Sequence, residues 1–128
     1  MNRIIQIKVF NDILDQFLEY MKDEFQYFRS DIILTQSAIG FIRKSNPRLV
    51  VEQFIQHITP YSKQITECNE DFFLNFEDTM NLKNDNLLFG LKLKSIWLDN
   101  EDTKESEKQK AIIFFYFQKM LKCASKIN

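Results

Sequence analysis

From Ile5 to Phe28 the apolar positions Val9, Phe10, Ile13, Leu14, Phe17, Leu18, Met21, Phe25 and Phe28 recur at intervals of three and four, with acids and Lys22 between them. That spacing predicts an amphipathic helix of several turns, begun near Ile5 or capped by Asn11. A second helix is predicted over SDIILTQSAIGFIRKSN. It has Ser30 as N-cap, Ile32, Leu34, Ala38, Ile39, Phe41 and Ile42 as apolar positions, and Arg43 and Lys44 at the end that favours cations. Gly40 within it costs about 1 kcal/mol against alanine, which points to a close helix crossing there. Asn46 followed by Pro47 opens a third helix carrying Leu49, Val50, Val51, Phe54, Ile55 and Ile58, and Pro60 forbids its continuation.

Beyond Pro60, Ile65, Phe72, Phe73 and Phe76 line one or two short helices, with Asn69, Glu70 and Asp71 as an N-terminal turn. NLKNDN at 81–86 reads as a loop. In NLLFGLKLKSIWLDN the residues Leu87, Phe89, Leu91 and Leu93 alternate as in a strand, while Leu88, Leu91, Ser95 and Leu98 step as in a helix. Length and the lack of a partner strand favour the helix.

The run Ala111–Phe117 is apolar or aromatic at every position. It is entered through DNEDTKESEKQK, rich in helix formers, where Ser106 to Gln109 has capping-box spacing and Thr103 is a rival cap. It continues to Lys122 without a breaker, so it is predicted to be helical. Because Ile112 to Phe117 cover nearly every azimuth, at least two turns must be surrounded, by the chain's own helices or by a partner. A central helix is how small helical domains bury such a segment. The expected architecture is therefore all-α: a single domain over residues 1–128, a compact bundle of about five to seven helices around a central hydrophobic C-terminal helix.

Composition agrees. Only two glycines and two prolines occur in 128 residues, too few for a protein of tight hairpins. No apolar stretch approaches the roughly 20 residues that span a bilayer. Two cysteines and no recognisable leader suggest an intracellular setting. A net charge of −1 provides no overall field for nucleic acid or an anionic membrane. Charge is nevertheless uneven, with an acidic stretch over 67–91 and a mildly basic end. The abundance of Phe, Ile, Lys and Asn over Gly, Ala, Pro and Arg matches AT-rich coding.

Candidate chemistry is sparse. His57, the one histidine, lies between Phe54, Ile55 and Ile58, where a partly buried structural role is favoured over catalysis. His57, Cys68 and Cys123 lack the paired spacing of a zinc site. Asp99, Glu101, Thr103 and Glu105 alternate as in a calcium loop that lacks its glycine. The neighbouring acids Asp23 and Glu24, and Glu70 and Asp71, are read as solvated helix charges. Too few glycines occur for a phosphate loop. No catalytic residue, metal site or cofactor is expected. Lys104, Lys108, Lys110, Lys119, Lys122 and Lys126 fall partly on one side of the last helix. Of these, Lys108, Lys119, Lys122 and Lys126 are the candidate nucleic-acid contacts if that helix binds DNA or RNA, although a plain charged surface is favoured.

The segments ITPYSKQITECNEDFFLNF and LKLKSIWLDNEDTKESEKQKAIIFFYFQKML resemble small helical proteins of large nucleocytoplasmic DNA viruses. In those, a PY, I, D and FF pattern is followed by IW, a linker and a final helix with an aromatic W.Y core. The matching positions are Pro60, Tyr61, Ile65, Asp71, Phe72, Phe73, Ile96, Trp97, Phe114, Tyr116 and Leu121, with Phe114 in place of the tryptophan. The likeness covers residues 58–124. It implies a virus-encoded helical protein of the host cytoplasm or the virion, and brings no catalytic residues.

A chain so rich in apolar helix and so poor in reactive groups is expected to be no enzyme and to act by contact. The leading expectation is a noncatalytic interaction or assembly protein, a virion component or virus-factory factor, with a protein partner or a second copy. The alternatives are a nucleic-acid accessory using the basic last helix, and a helical groove that captures a partner helix.

Overall fold

The computed structural model describes residues 3–75, 95–97 and 104–127. Among these residues the chain forms α1 (Arg3–Glu24), a 3-10 turn (Gln26–Phe28), α2 (Arg29–Ser45), α3 (Leu49–His57), a second 3-10 turn (Thr59–Tyr61), α4 (Ser62–Thr66), α5 (Asp71–Leu74) and α6 (Lys104–Ser125). Residues 95–97 are also helical. The fold is an all-α bundle. The loop predicted at 81–86 and most of the ambiguous segment after it lie outside the described residues.

α1 and α6, each 22 residues long, form the longest interface and run antiparallel. Near one end the Cys123 thiol donates to the Gln6 carbonyl at 3.3 Å, and near the other Gln109 Nε2 donates to Glu24 Oε1 at 3.4 Å. Between these ties Phe17 meets Tyr116 and Phe117, with ring centroids 5.6 and 5.4 Å apart. Phe117 has no exposed surface and is the hub of the core. Its ring also lies 6.3 Å from Phe54 of α3, and 5.9 and 5.3 Å from Phe72 and Phe73 of α5. Edge-to-face pairs of this kind add about 0.5–1.5 kcal/mol each to the burial of the rings themselves. Trp97 closes the aromatic cluster by stacking on Phe73 at 4.4 Å. Its indole N–H donates to Glu70 Oε1 at 3.1 Å, and Lys110 Nζ reaches the same oxygen at 3.3 Å while lying over the indole ring.

The boundaries follow local chemistry, not always at the predicted residue. α1 starts at Arg3, so Asn11 is not a cap. It sits inside the helix, and its Nδ2 donates to the Pro47 carbonyl at 3.3 Å. The helix stops at Glu24, short of Phe25 and Phe28, and the Gln26 side chain folds back to donate to the Asp23 carbonyl at 2.8 Å, satisfying one of the terminal acceptors. Ser30 is not the N-cap of α2 either. The chain enters α2 directly from the 3-10 turn, which leaves Ser30 in the first turn with no side-chain cap at Phe28. α2 ends where Asn46 is extended, as the residue before Pro47 must be. Asn46 then accepts from the Arg48 N–H at 3.1 Å and from the Leu49 N–H at 3.2 Å, so the Asn-Pro pair turns the chain and α3 begins two residues later, at Leu49. Pro60 falls in the 3-10 turn after α3, as its missing N–H requires. Asn69 caps the α5 turn through the Asp71 N–H, at 3.0 Å. Ser106 is buried inside α6, whose described start is Lys104. The capping box predicted there is not formed, because the helix already runs through it.

α4 ends in a Schellman turn, with the Asn69 N–H donating to the Gln64 carbonyl and the Cys68 N–H to the Ile65 carbonyl. Cys68 therefore holds the left-handed position usually given to glycine, with φ 56°.

Candidate functional site

α2, like the first turns of α1, leaves large apolar residues outside the core. Ile32, Thr35 and Ile39 turn inward. Leu34 and Phe41, both predicted to be core, turn outward with 67% and 76% of their surface exposed, and Tyr27 on the preceding turn is 86% exposed. Leu34 and Phe41 are seven residues apart, two helical turns, so they form one ridge along the outer side of α2. Ala38 and Ser37 between them are exposed and small, and Ile33 lies 40% exposed on the flank. From Ile32 to Ile42 there is no charged side chain. Leaving a leucine and a phenylalanine in water forgoes about 1.5–3 kcal/mol each compared with burial. Gly40 faces open space, since a methyl group added there would meet nothing within 4 Å. Among the described residues no helix crosses α2 at this point, so the predicted close crossing is not made there.

The reason for the ridge is α2's place at the edge of the bundle. Its main neighbours are α1, α3 and the 3-10 turn before it. A pattern with Ile32, Ile33, Leu34, Ile39, Phe41 and Ile42 exceeds what one buried face can absorb. That excess, together with the missing charges, was the signal in the sequence that the apolar positions were not all core.

A second exposed face runs along α6. The core takes Ile113, Phe114 and Phe117, while Ile112 and Phe115 stay at the surface, 36% and 54% exposed. The candidate nucleic-acid residues Lys108, Lys122 and Lys126 lie exposed on this same outer side by helical spacing. Lys119 joins them half-buried, its ammonium 5.2 Å from the Phe115 ring and 5.8 Å from that of Tyr116. Lys110 points elsewhere, to Glu70 and Trp97. Four of the predicted lysines are thus brought together on one face, with an aromatic ring among them.

No reactive centre accompanies either face. His57 is half-buried at the end of α3, Cys68 is exposed and Cys123 buried, and both cysteines are free. Among the described residues no three His, Cys, Asp or Glu side chains are grouped so as to hold a metal ion. Burial raises the Cys123 thiol pKa, opposed by nearby Lys126. Burial, helped by Glu24 and Glu105, pushes the Tyr20 phenol up to about 12. Its hydroxyl is enclosed and has no hydrogen-bond partner among the described residues. The Lys22 ammonium, 2.9 Å away, lowers the Glu19 carboxyl by hydrogen bonding.

A half-open cleft of about 540 Å³ between α1 and the 46–48 turn collects Arg3, Lys8, Arg43 and Arg48. Asp12 and Asp15 stand on the same wall, and Arg43 is committed to Asp15 at 2.7 Å and reaches the Asn11 carbonyl at 3.4 Å. Much of the positive charge is thereby offset, and the pair fastens the end of α2 to α1. No helix among the described residues is long and apolar enough to cross a membrane.

No family model, curated protein or solved structure matches this chain.

Proposed function

We propose that the protein is a noncatalytic interaction or assembly factor that works by seating the outer ridge of α2 against another protein surface. One observation carries this reading: Leu34 and Phe41 are at least two-thirds exposed two turns apart on α2, with no charge between Asp31 and Arg43, and Tyr27 is 86% exposed on the turn before it. Exposed apolar surface of this continuity marks contact sites. The aromatic residues at each end suit the anchors that dominate protein interfaces. The sequence resemblance supports placing the chain in a large DNA virus, as a virion component or a factor of the virus factory.

The reading is tested by immobilising the full chain beside Leu34→Asp and Phe41→Asp variants and comparing what each retains from extracts of the native host. A protein held by the wild type and lost from both variants is expected. Identical recovery on all three would remove the reading.

A second reading, nucleic-acid binding through α6, is favoured by the gathering of Lys108, Lys119, Lys122 and Lys126 on the side that exposes Phe115. It requires affinity for DNA or RNA that falls steeply with salt, and its loss in Lys119→Glu with Lys122→Glu. Absence of binding at low salt excludes it.

A further inference from the structure

We propose that the cleft between α1 and the 46–48 turn binds a small amphiphilic anion, an apolar body carrying one carboxylate. This goes beyond the contact function proposed above and does not depend on the α2 ridge. The cleft holds about 540 Å³, within the range of pockets that enclose small molecules. Ile4 and Ile7 of α1 and Pro47 of the turn supply its apolar wall. A smaller cavity of about 230 Å³ adjoins it, and Arg3, Ile7 and Arg48 line both. Two guanidiniums from different elements thus stand at the junction. Arg3 lies at the described start of α1 and Arg48 directly precedes α3, so the positive ends of two helix dipoles reach the same place.

Charge decides what the apolar wall can hold. Of the four cations in the larger cleft, Arg43 is spent on Asp15, and Asp12, one turn beyond Lys8, offsets that ammonium. Arg3 and Arg48 are left, and among the described residues neither forms an ion pair. Glu52, one turn beyond Arg48, lines only the smaller cavity, which puts the anion on the larger side of the junction. A guanidinium can meet a carboxylate with two parallel N–H donors. Asp12 and Asp15 on the same wall work against a phosphate or any other multiply charged anion, and the isoleucines and the proline offer such a group nothing. A cationic amphiphile would leave both arginines unanswered.

The test titrates the full chain with sodium decanoate up to about 5 mM and follows the backbone amides by NMR. Saturable shifts are expected at Ile4, Ile7 and Arg48, with a submillimolar Kd. Arg48→Glu and Ile4→Asp, both at exposed positions, should keep the fold and each weaken binding by about tenfold or more. Lys119→Glu on α6 should leave it unchanged. Decyltrimethylammonium, of equal chain length and opposite charge, should bind at least about tenfold more weakly, and inorganic phosphate should not displace decanoate. Equal binding of the cationic amphiphile overturns the inference, because apolar contact alone would then suffice. Displacement by phosphate overturns it too, since that ion makes no use of the apolar wall. So does the absence of shifts at the highest concentration, or shifts confined to Leu34 and Phe41 of α2. Partner capture by α2 is read from different residues, so the two proposals fail separately.

Discussion

α2 and α6 are comparably rich in apolar side chains, yet the bundle buries most of those on α6, leaving Ile112 and Phe115 at the surface, and leaves much of α2 outside. α6 has α1 along its length, α3 and α4 beside it, and the rings of Phe72, Phe73 and Trp97 against Phe114 and Phe117. Among the described residues α2 has its neighbours, α1, α3 and the 3-10 turn, on one side. Phe117 and Phe41 are chemically the same residue, the first wholly enclosed and the second three-quarters exposed. Apolar density along a helix therefore reports how much surface wants covering, and the number of flanking elements decides whether this chain does the covering.

The widest gap between the two regions should appear on truncation. Phe117→Ala removes the ring shared by α1, α3, α5 and α6 and is expected to cost about 3–5 kcal/mol, measured by urea unfolding. Phe41→Ala should change stability by less than about 0.5 kcal/mol in the same assay. Equal losses for the two would erase the distinction between core and ridge. Next in size is Cys68→Gly. The left-handed turn that ends α4 disfavours a side chain, so this change should raise stability by about 1 kcal/mol, less whatever the Gln118 to Cys68 contact supplies. A fall instead would show that the thiol's contact with α6 outweighs the backbone strain.

The smallest effects concern Tyr20, at the edge between α1 and α6. Its enclosed hydroxyl finds no partner among the described residues, so Tyr20→Phe should leave stability at neutral pH unchanged or up to about 1 kcal/mol higher. The phenol is held protonated to about 12 in the folded chain, against about 10 when unfolded. Its contribution is complete below pH 10 and is lost as pH climbs through 12, because the unfolded chain sheds the proton first. A pH series of unfolding midpoints should show that alkaline decline in the wild type and a shallower one in Tyr20→Phe.

The three- and four-residue spacing was enough to place α1 and α3, because burial of one face is what such spacing encodes, while helix formers and the lack of a breaker placed α6 and completed the all-α class. In α2 the spacing grouped Ile32 and Ile39, which are core, with Leu34, Ala38 and Phe41, which are exposed. It misassigned Leu34 and Phe41, since periodicity alone cannot tell an inward apolar face from an outward one on a helix apolar on both. Turns were legible where an Asn closes one with its own side chain, as at Asn46 and Asn69, although Arg48 and not Asn46 precedes α3. Caps were illegible at Ser30 and Ser106, where the chain was already helical for reasons of packing. The lysines of α6 could be located on one face by counting, but Lys110 could not be excluded from them without Trp97 and Glu70 in place.

The pairing of α1 with α6 also bears on how the chain is made. α1 ends at Glu24 and α6 begins at Lys104. At ordinary translation speeds a ribosome takes about 4–16 s to cover the 80 residues between those points. Throughout that wait Phe17 lacks the Tyr116 and Phe117 rings that enclose it. The nascent protein must then be shielded by a chaperone or must collapse provisionally on α2 and α3, and the last helix completes a structure that cannot be finished piece by piece.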